Sequence, residues 1–232
     1  MDKNKRLEAL LRAQRDFFLP VVPVNFQVEP FVVFDFSIEN PNLITLDLED
    51  IEATQAYIQE RLEEAGARVG IGGYNEDRAV YGKSQVFHSP EGIRSIHLGM
   101  DIWMPANTPV FAPLSGIIHS FQDNDRFGDY GPTIILKHSV NDIPFYTLYG
   151  HLSRESLANR EVGQKLAKGD QVGTLGDPSV NGHWTPHLHF QLITDMLGHQ
   201  GDFVGVAPAS KRAYYLQICP NPNLILNIPG LD

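Results

Sequence analysis

Cysteine is nearly absent: Cys219 is the only one in 232 residues. A lone thiol excludes an intrachain disulfide and a thiolate zinc cluster. Long apolar runs are missing too. No stretch approaches the roughly 20 residues that span a bilayer, so no membrane partner is expected. The opening Met1-Asp2-Lys3-Asn4-Lys5-Arg6 is basic, but Leu7 to Phe18 is broken by Glu8, Arg12, Gln14, Arg15 and Asp16. That is no signal-peptide core, and a cytoplasmic location is the expectation. Positive charge is scarce, with 18 Lys and Arg against 28 Asp and Glu and a net charge of −10. Such a balance argues against nucleic acid and, more weakly, against avid binding to an anionic cell wall. It leaves a small neutral or cationic substrate open. The apolar fraction of 42% is ordinary for a globular chain, so a buried core is expected and disorder is not.

What is present divides into two textures. Lys5 to Phe18 reads as a helix with Leu7, Leu10, Leu11, Gln14 and Phe18 near one stripe, stopped by Pro20 and Pro23. Val32 to Ile38 reads as a strand followed by a turn at Asn40-Pro41-Asn42. Asp47 suits the N-cap of a helix over Glu49–Ala65, closed by Gly66, with Ile51, Tyr57, Ile58, Leu62 and Ala65 on its apolar face. Val69 to Tyr74 is a short strand, and Gly70-Ile71-Gly72-Gly73 opens no convincing helix, so it is no dinucleotide fingerprint. Residues 1–85 are therefore expected to form an N-terminal α/β appendage.

From about Ile93 short strands alternate with Gly, Pro, Asn and Asp. Thr108–His119, Thr133–His138, Phe145–Leu152, Gln171–Leu175 and His187–Ile193 read as strands, and a helix is expected over Pro208–Ile218. This predicts a mainly β, antiparallel core over residues 86–200 and a C-terminal helix and tail over 201–232.

The chemistry concentrates in histidines. In Trp184-Thr185-Pro186-His187-Leu188-His189-Phe190-Gln191 the two imidazoles sit at i and i+2. On a strand they share one face, with Leu188 and Phe190 turned to apolar packing on the other. His97-Leu98-Gly99-Met100-Asp101 adds an imidazole and a carboxylate. With one histidine of the later pair it makes a His₂Asp set, and three protein ligands with an open fourth position characterise catalytic zinc. His151, in Tyr149-Gly150-His151-Leu152, can reach the same centre from a strand end. Imidazoles beside a metal and its water supply a general base and transition-state stabilisation.

In that order and spacing HLGMD, YGHL and PHLHF resemble the three motifs of lysostaphin-like (LytM-type) zinc endopeptidases, metallopeptidase family 23. The resemblance covers roughly residues 92–195, including PVFAPLSGII and GQKLAKGDQVGTLG. It implies an antiparallel barrel-sandwich hybrid core (the duplicated hybrid motif) and one zinc per chain held by His97, Asp101 and His189. It also implies catalytic histidines at His151 and His187, with peptidoglycan or peptide cross-links as the substrate class. Two departures stand out. Gln191 replaces a glutamate common after the H-x-H-F segment, and Trp184-Thr185-Pro186 replaces a threonine-glycine approach.

The flanks GIGGYNEDRAVY (70–81) and NPNLILNIPG, with IHLGMDIW and DYGPTIILKH, are also similar to the central segment of large fusion proteins. Those place such a domain between an aminoglycoside-phosphotransferase-like kinase and a class III aminotransferase. That likeness favours a small intracellular amide and makes Glu76 and Arg78 substrate contacts; the alternative is a salt bridge between strand and loop. Tyr130 and Trp184 are expected at the cleft, with His183 capping it. His119, His138, Trp103, Phe111 and Tyr146 read as packing residues, and His88 and His199 as solvated ones. A binding module without turnover is the remaining alternative, and the presence of both His151 and His187 speaks against it.

Overall fold

The computed structural model describes residues 3–44, 46–48, 50–78, 87–89 and 91–231. Helix α1 spans Lys3–Ala13 and α2 spans Ile51–Glu64, separated by the short strand β1 (Val32–Phe34). The strands that follow are β2 (Gly70–Gly72), β3 (His88–Ser89), β4 (Gly92–His97), β5 (Met100–Trp103), β6 (Pro109–Phe111) and β7 (Gly116–Asn124). Next come β8 (Gly131–Val140), β9 (Ile143–Gly150), β10 (Lys165–Leu166), β11 (Gln171–Thr174), β12 (His187–Ile193) and β13 (Val206–Pro208). Helices α3 (Arg212–Ile218) and α4 (Asn223–Leu226) close the chain.

The core is mainly β, as the sequence predicts. Eight strands form one sheet in the order β1-β2-β5-β12-β9-β8-β7-β10, which does not close into a barrel. Its pairs from β2 to β10 are antiparallel, and β1 joins β2 in parallel. Strands β11 and β6 pair separately, and β13-β4-β3 make a small third sheet. One face of the large sheet packs Ile102, Leu188 and Phe190 with Leu7 and Leu11 of α1 and Leu224 and Ile225 of α4. Burying each such side chain contributes roughly 1.5–3 kcal/mol. A second cluster joins Phe34, Phe36, Leu43, Leu48 and Ile58 to Trp103 of β5. The N-terminal segment thus packs on the β core and extends its sheet through β1 and β2.

Several boundaries differ from the sequence reading. The first helix stops at Ala13 and tightens into a 3₁₀ turn at Arg15–Phe17. Strand β1 covers only Val32–Phe34 of the expected Val32–Ile38. The α2 cap is Asp50, not Asp47: the Asp50 side chain accepts from the N–H groups of Glu52 and Ala53. Glu49 and residues 79–81 of the 70–81 motif lie outside the described residues. Thr108–His119 is two strands in two sheets, divided around Pro113, whose ring nitrogen cannot donate to a ladder. At the C-terminus Val206–Pro208 pairs with β4, so the helix proper begins at Arg212.

Candidate metal centre

Strand register assembles the centre. His189 of β12 lies opposite Asp101 of β5, and His187 lies opposite Trp103. With a period of two, all four side chains project from one face, and Leu188 and Phe190 enter the apolar core behind. His97 arrives from the small sheet at the end of β4, and the chain crosses to β5 through Leu98-Gly99. Gly99 is required there, because a Cβ would lie 2.6 Å from the His189 ring and 2.9 Å from the Phe190 carbonyl oxygen.

His97 Nε2, His189 Nδ1 and Asp101 Oδ1 form a tight triangle. The two nitrogens are 3.0 Å apart and lie 3.3 and 3.1 Å from the carboxylate oxygen. Their partners assign the ring protons. His97 Nδ1 is 2.8 Å from the Gly73 carbonyl oxygen, which only accepts, so the proton sits on Nδ1. His189 Nε2 is 2.9 Å from Gln191 Oε1. The Gln191 amide is oriented by its Nε2, which donates to the Val204 carbonyl at 3.1 Å and to Cys219 Sγ at 3.2 Å. The His189 proton therefore sits on Nε2.

Three lone-pair atoms thus face one another with no proton assigned among them. Such an arrangement is repulsive alone and favourable around a cation. Tetrahedral zinc with bonds of about 2.0–2.1 Å sets its ligands roughly 3.3–3.4 Å apart, close to the spans observed. These three are the cluster of metal-ligating type among the described residues, and all are buried.

Two further imidazoles adjoin it. His187 Nδ1 donates to the Thr185 carbonyl at 2.7 Å, leaving Nε2 bare and 3.8 Å from Asp101 Oδ1. His151 Nδ1 donates to the Asn181 carbonyl at 2.8 Å, and its ring centroid is 4.2 Å from that of His187. The His151 backbone is left-handed (φ +61°), the kind of strain that accumulates at functional sites. Its N–H donates to the Tyr130 carbonyl and its carbonyl accepts from Gly176. Trp103 stacks on His187 with centroids 5.7 Å apart.

Burial, reinforced by Arg78, lowers the His97 pKa to about 4. Burial also lowers His187, and burial with the neighbouring His187 and His189 holds His151 well below its ordinary value. These three imidazoles, His97, His187 and His151, are therefore neutral near pH 7, the form that accepts a metal or a proton. Burial alone would raise Asp101, but His97, Arg78 and His187 hold it well below the usual carboxylate range.

The centre opens into a cavity of about 510 Å³. Tyr130, Trp184 and His183 line it, as do Arg126 and Phe127 on one rim and Phe36, Leu48 and Ile51 from the N-terminal segment. The Tyr130 hydroxyl lies 3.4 Å from His189 Nε2, and the Trp184 indole N–H donates to the Asp129 carbonyl. His183 is exposed and leans on Phe127 rather than joining the triangle. Glu76 and Arg78 form an ion pair at 2.8 Å in the interior, with Arg78 also paired to Asp101. His138 is buried and hydrogen-bonded to the Ser115 carbonyl and Thr147, while His88 and His199 are exposed. Trp103 serves both packing and site. Sequence reasoning missed the partners of the rings: Gly73, Asn181, Thr185 and the amide of Gln191. Gln191 and Thr185 stand out in the sequence only as departures from the family pattern, with nothing local to mark them as ring partners.

Residues 95–202 match the model of Peptidase family M23. Among curated relatives, the Vibrio cholerae peptidoglycan DD-endopeptidases ShyC and ShyA are 29% and 32% identical over 109 and 98 residues. Those alignments cover 47% and 42% of this chain and only 22% and 20% of the relatives. The chain therefore spans about a fifth of the length of the curated relatives it matches. Among solved structures, the catalytic domain of the antimicrobial peptidase lysostaphin from Staphylococcus simulans is 28% identical, covering 52% of this chain and 80% of that one, with a TM-score of 0.37.

Proposed function

Because residues 95–202 form an M23 family metallopeptidase domain, we propose that this protein is a zinc-dependent amide hydrolase. One zinc per chain is held by His97, Asp101 and His189, and His151 and His187 are the catalytic residues. The observation that carries this reading is the convergence of three bare donor atoms beside two neutral imidazoles. Zinc, when bound, supplies Lewis-acid polarisation of a carbonyl and lowers the pKa of water to about 7.

The remaining work falls to the chain. His151 and His187 each present a bare Nε2, so one accepts the proton of the attacking water and the pair returns a proton to the departing nitrogen. A protonated imidazole at either place also stabilises the oxyanion that develops on the carbonyl. The Thr185 and Asn181 carbonyls hold the rings in the required tautomer, and the Trp103 stack limits rotation of His187.

A peptide substrate is supported by relatives named as peptidoglycan DD-endopeptidases. A second reading, a small amide, is favoured by the wall that Phe36, Leu48 and Ile51 add to the cleft from outside the matched domain. The deciding experiment is elemental analysis of wild type and His189→Ala, paired with a hydrolysis screen of cross-linked peptidoglycan, pentaglycine and small amides. About one zinc per chain, lost in the variant, with cleavage of any of these substrates is the expected result. Wild-type protein that takes up no metal after reconstitution would overturn it. Cleavage confined to peptidoglycan or pentaglycine selects the first substrate class, and cleavage confined to small amides the second.

A further inference from the structure

We infer that Arg78 is a positioning residue of the metal centre, and that residues 73–78, outside the matched domain, supply the outer shell of His97 and Asp101. The inference rests on the ligand set proposed above. Arg78 is only 4% exposed. Its Nη1 donates to Asp101 Oδ2, and its Nε donates to Glu76 Oε2 at 2.8 Å. Glu76 Oε1 in turn accepts from the Phe36 N–H at 3.0 Å. The same segment grips β4: the His97 N–H donates to the Glu76 carbonyl, Asn75 donates to the His97 carbonyl, and Arg78 donates to the Ser95 carbonyl. The Gly73 carbonyl completes the set by accepting from His97 Nδ1.

Two physical consequences follow. With Oδ2 engaged by the guanidinium, the Asp101 carboxylate is held with Oδ1 facing the two ring nitrogens, and rotating it would break the pair with Arg78. Glu76 meanwhile offsets the charge of Arg78, so the guanidinium orients Asp101 without adding net repulsion toward a bound cation. Arg78 lies 6.0 Å from the Trp103 ring centroid, on the residue that stacks against His187. Room for it comes from Gly72, opposite Asp101 in the sheet, where a Cβ would lie 2.7 Å from Arg78 Nη2. Outer-shell partners of this kind typically set metal affinity by 10–100-fold.

The test is zinc affinity of the full chain by chelator competition, with the visible spectrum of the cobalt-substituted protein and the melting temperature of the metal-free form. Arg78→Gln should weaken zinc about 10–100-fold and alter the cobalt spectrum. Arg78→Lys keeps the charge without the two-pronged fork and should fall between. A folded Arg78→Gln with wild-type affinity and spectrum overturns the inference even if its melting temperature drops, since that is a purely structural role. Should Arg78→Gln fail to fold, Arg78→Lys decides, and wild-type affinity with an unchanged spectrum overturns the inference. Wild type that binds no zinc overturns the ligand reading and this inference together, whereas normal zinc in wild type and unchanged variants overturn this inference alone.

Discussion

Replacing His97 or Asp101 with Ala removes one of three converging donor atoms, so zinc content should fall well below one per chain by elemental analysis. His151→Ala removes no donor from that triangle. It should retain zinc and lose activity by about 10² or more; an equal loss of metal would make His151 a ligand instead. Gln191 carries a subtler prediction. Its oxygen accepts from His189 and its amide nitrogen donates to the Val204 carbonyl and Cys219. Gln191→Glu would set a buried carboxylate against the Val204 carbonyl and strand both acceptors. Losing such a buried partner costs about 1–3 kcal/mol, and more for a charged group. Thermal unfolding of the metal-free variant should show the loss; a melting temperature equal to wild type would mean that the pocket repacks.

At the scale of elements, β12 and the end of β9 behave differently. The HLHFQLI pattern has period two, and the strand runs over His187–Ile193, the span the sequence predicts. A one-residue slip would exchange the imidazole face for the apolar one, so burial of Leu188 and Phe190 pins the register. His151 lies just beyond β9, and its left-handed backbone is invisible to any periodicity. Asn tolerates that conformation better than Ala. His151→Asn should therefore melt higher than His151→Ala while both lose activity, and the reverse order would mean that the surrounding hydrogen bonds, not the backbone, govern the site. The break at Pro113 and the Asp50 cap were similarly illegible, because each depends on which partner the neighbouring segment meets.

For the whole molecule, buried histidines couple folding to acid. Burial pushes His138 and His97 down to about 4 from an ordinary value near 6.5. Between those values the unfolded chain binds protons that the folded chain refuses, so stability is complete above about pH 6.5 and falls as pH drops towards 4. Thermal unfolding of metal-free protein across that window should show a falling melting temperature, with a shallower slope in His138→Gln. A flat profile would mean that the folded state admits the protons. A metal held at the proposed centre would add stability through mass action, so a chelator should lower the melting temperature of metal-loaded protein further. Among the described residues no helix is long and apolar enough to cross a membrane.

The sequence by itself determined that the core is mainly β, that His187 and His189 share a face, and that Leu188 and Phe190 oppose them. These follow from local periodicity, which neighbouring residues encode. The order of strands was not local information. That β1 and β2 extend the main sheet, that Gly73 and Arg78 hold His97 and Asp101, and that Asn181 and Gln191 decide which ring nitrogens are bare emerged only in the tertiary structure. Hydrogen-bond partners 24 or 30 positions apart meet through the packing of sheets, and that packing, rather than any motif, decides where each imidazole keeps its proton.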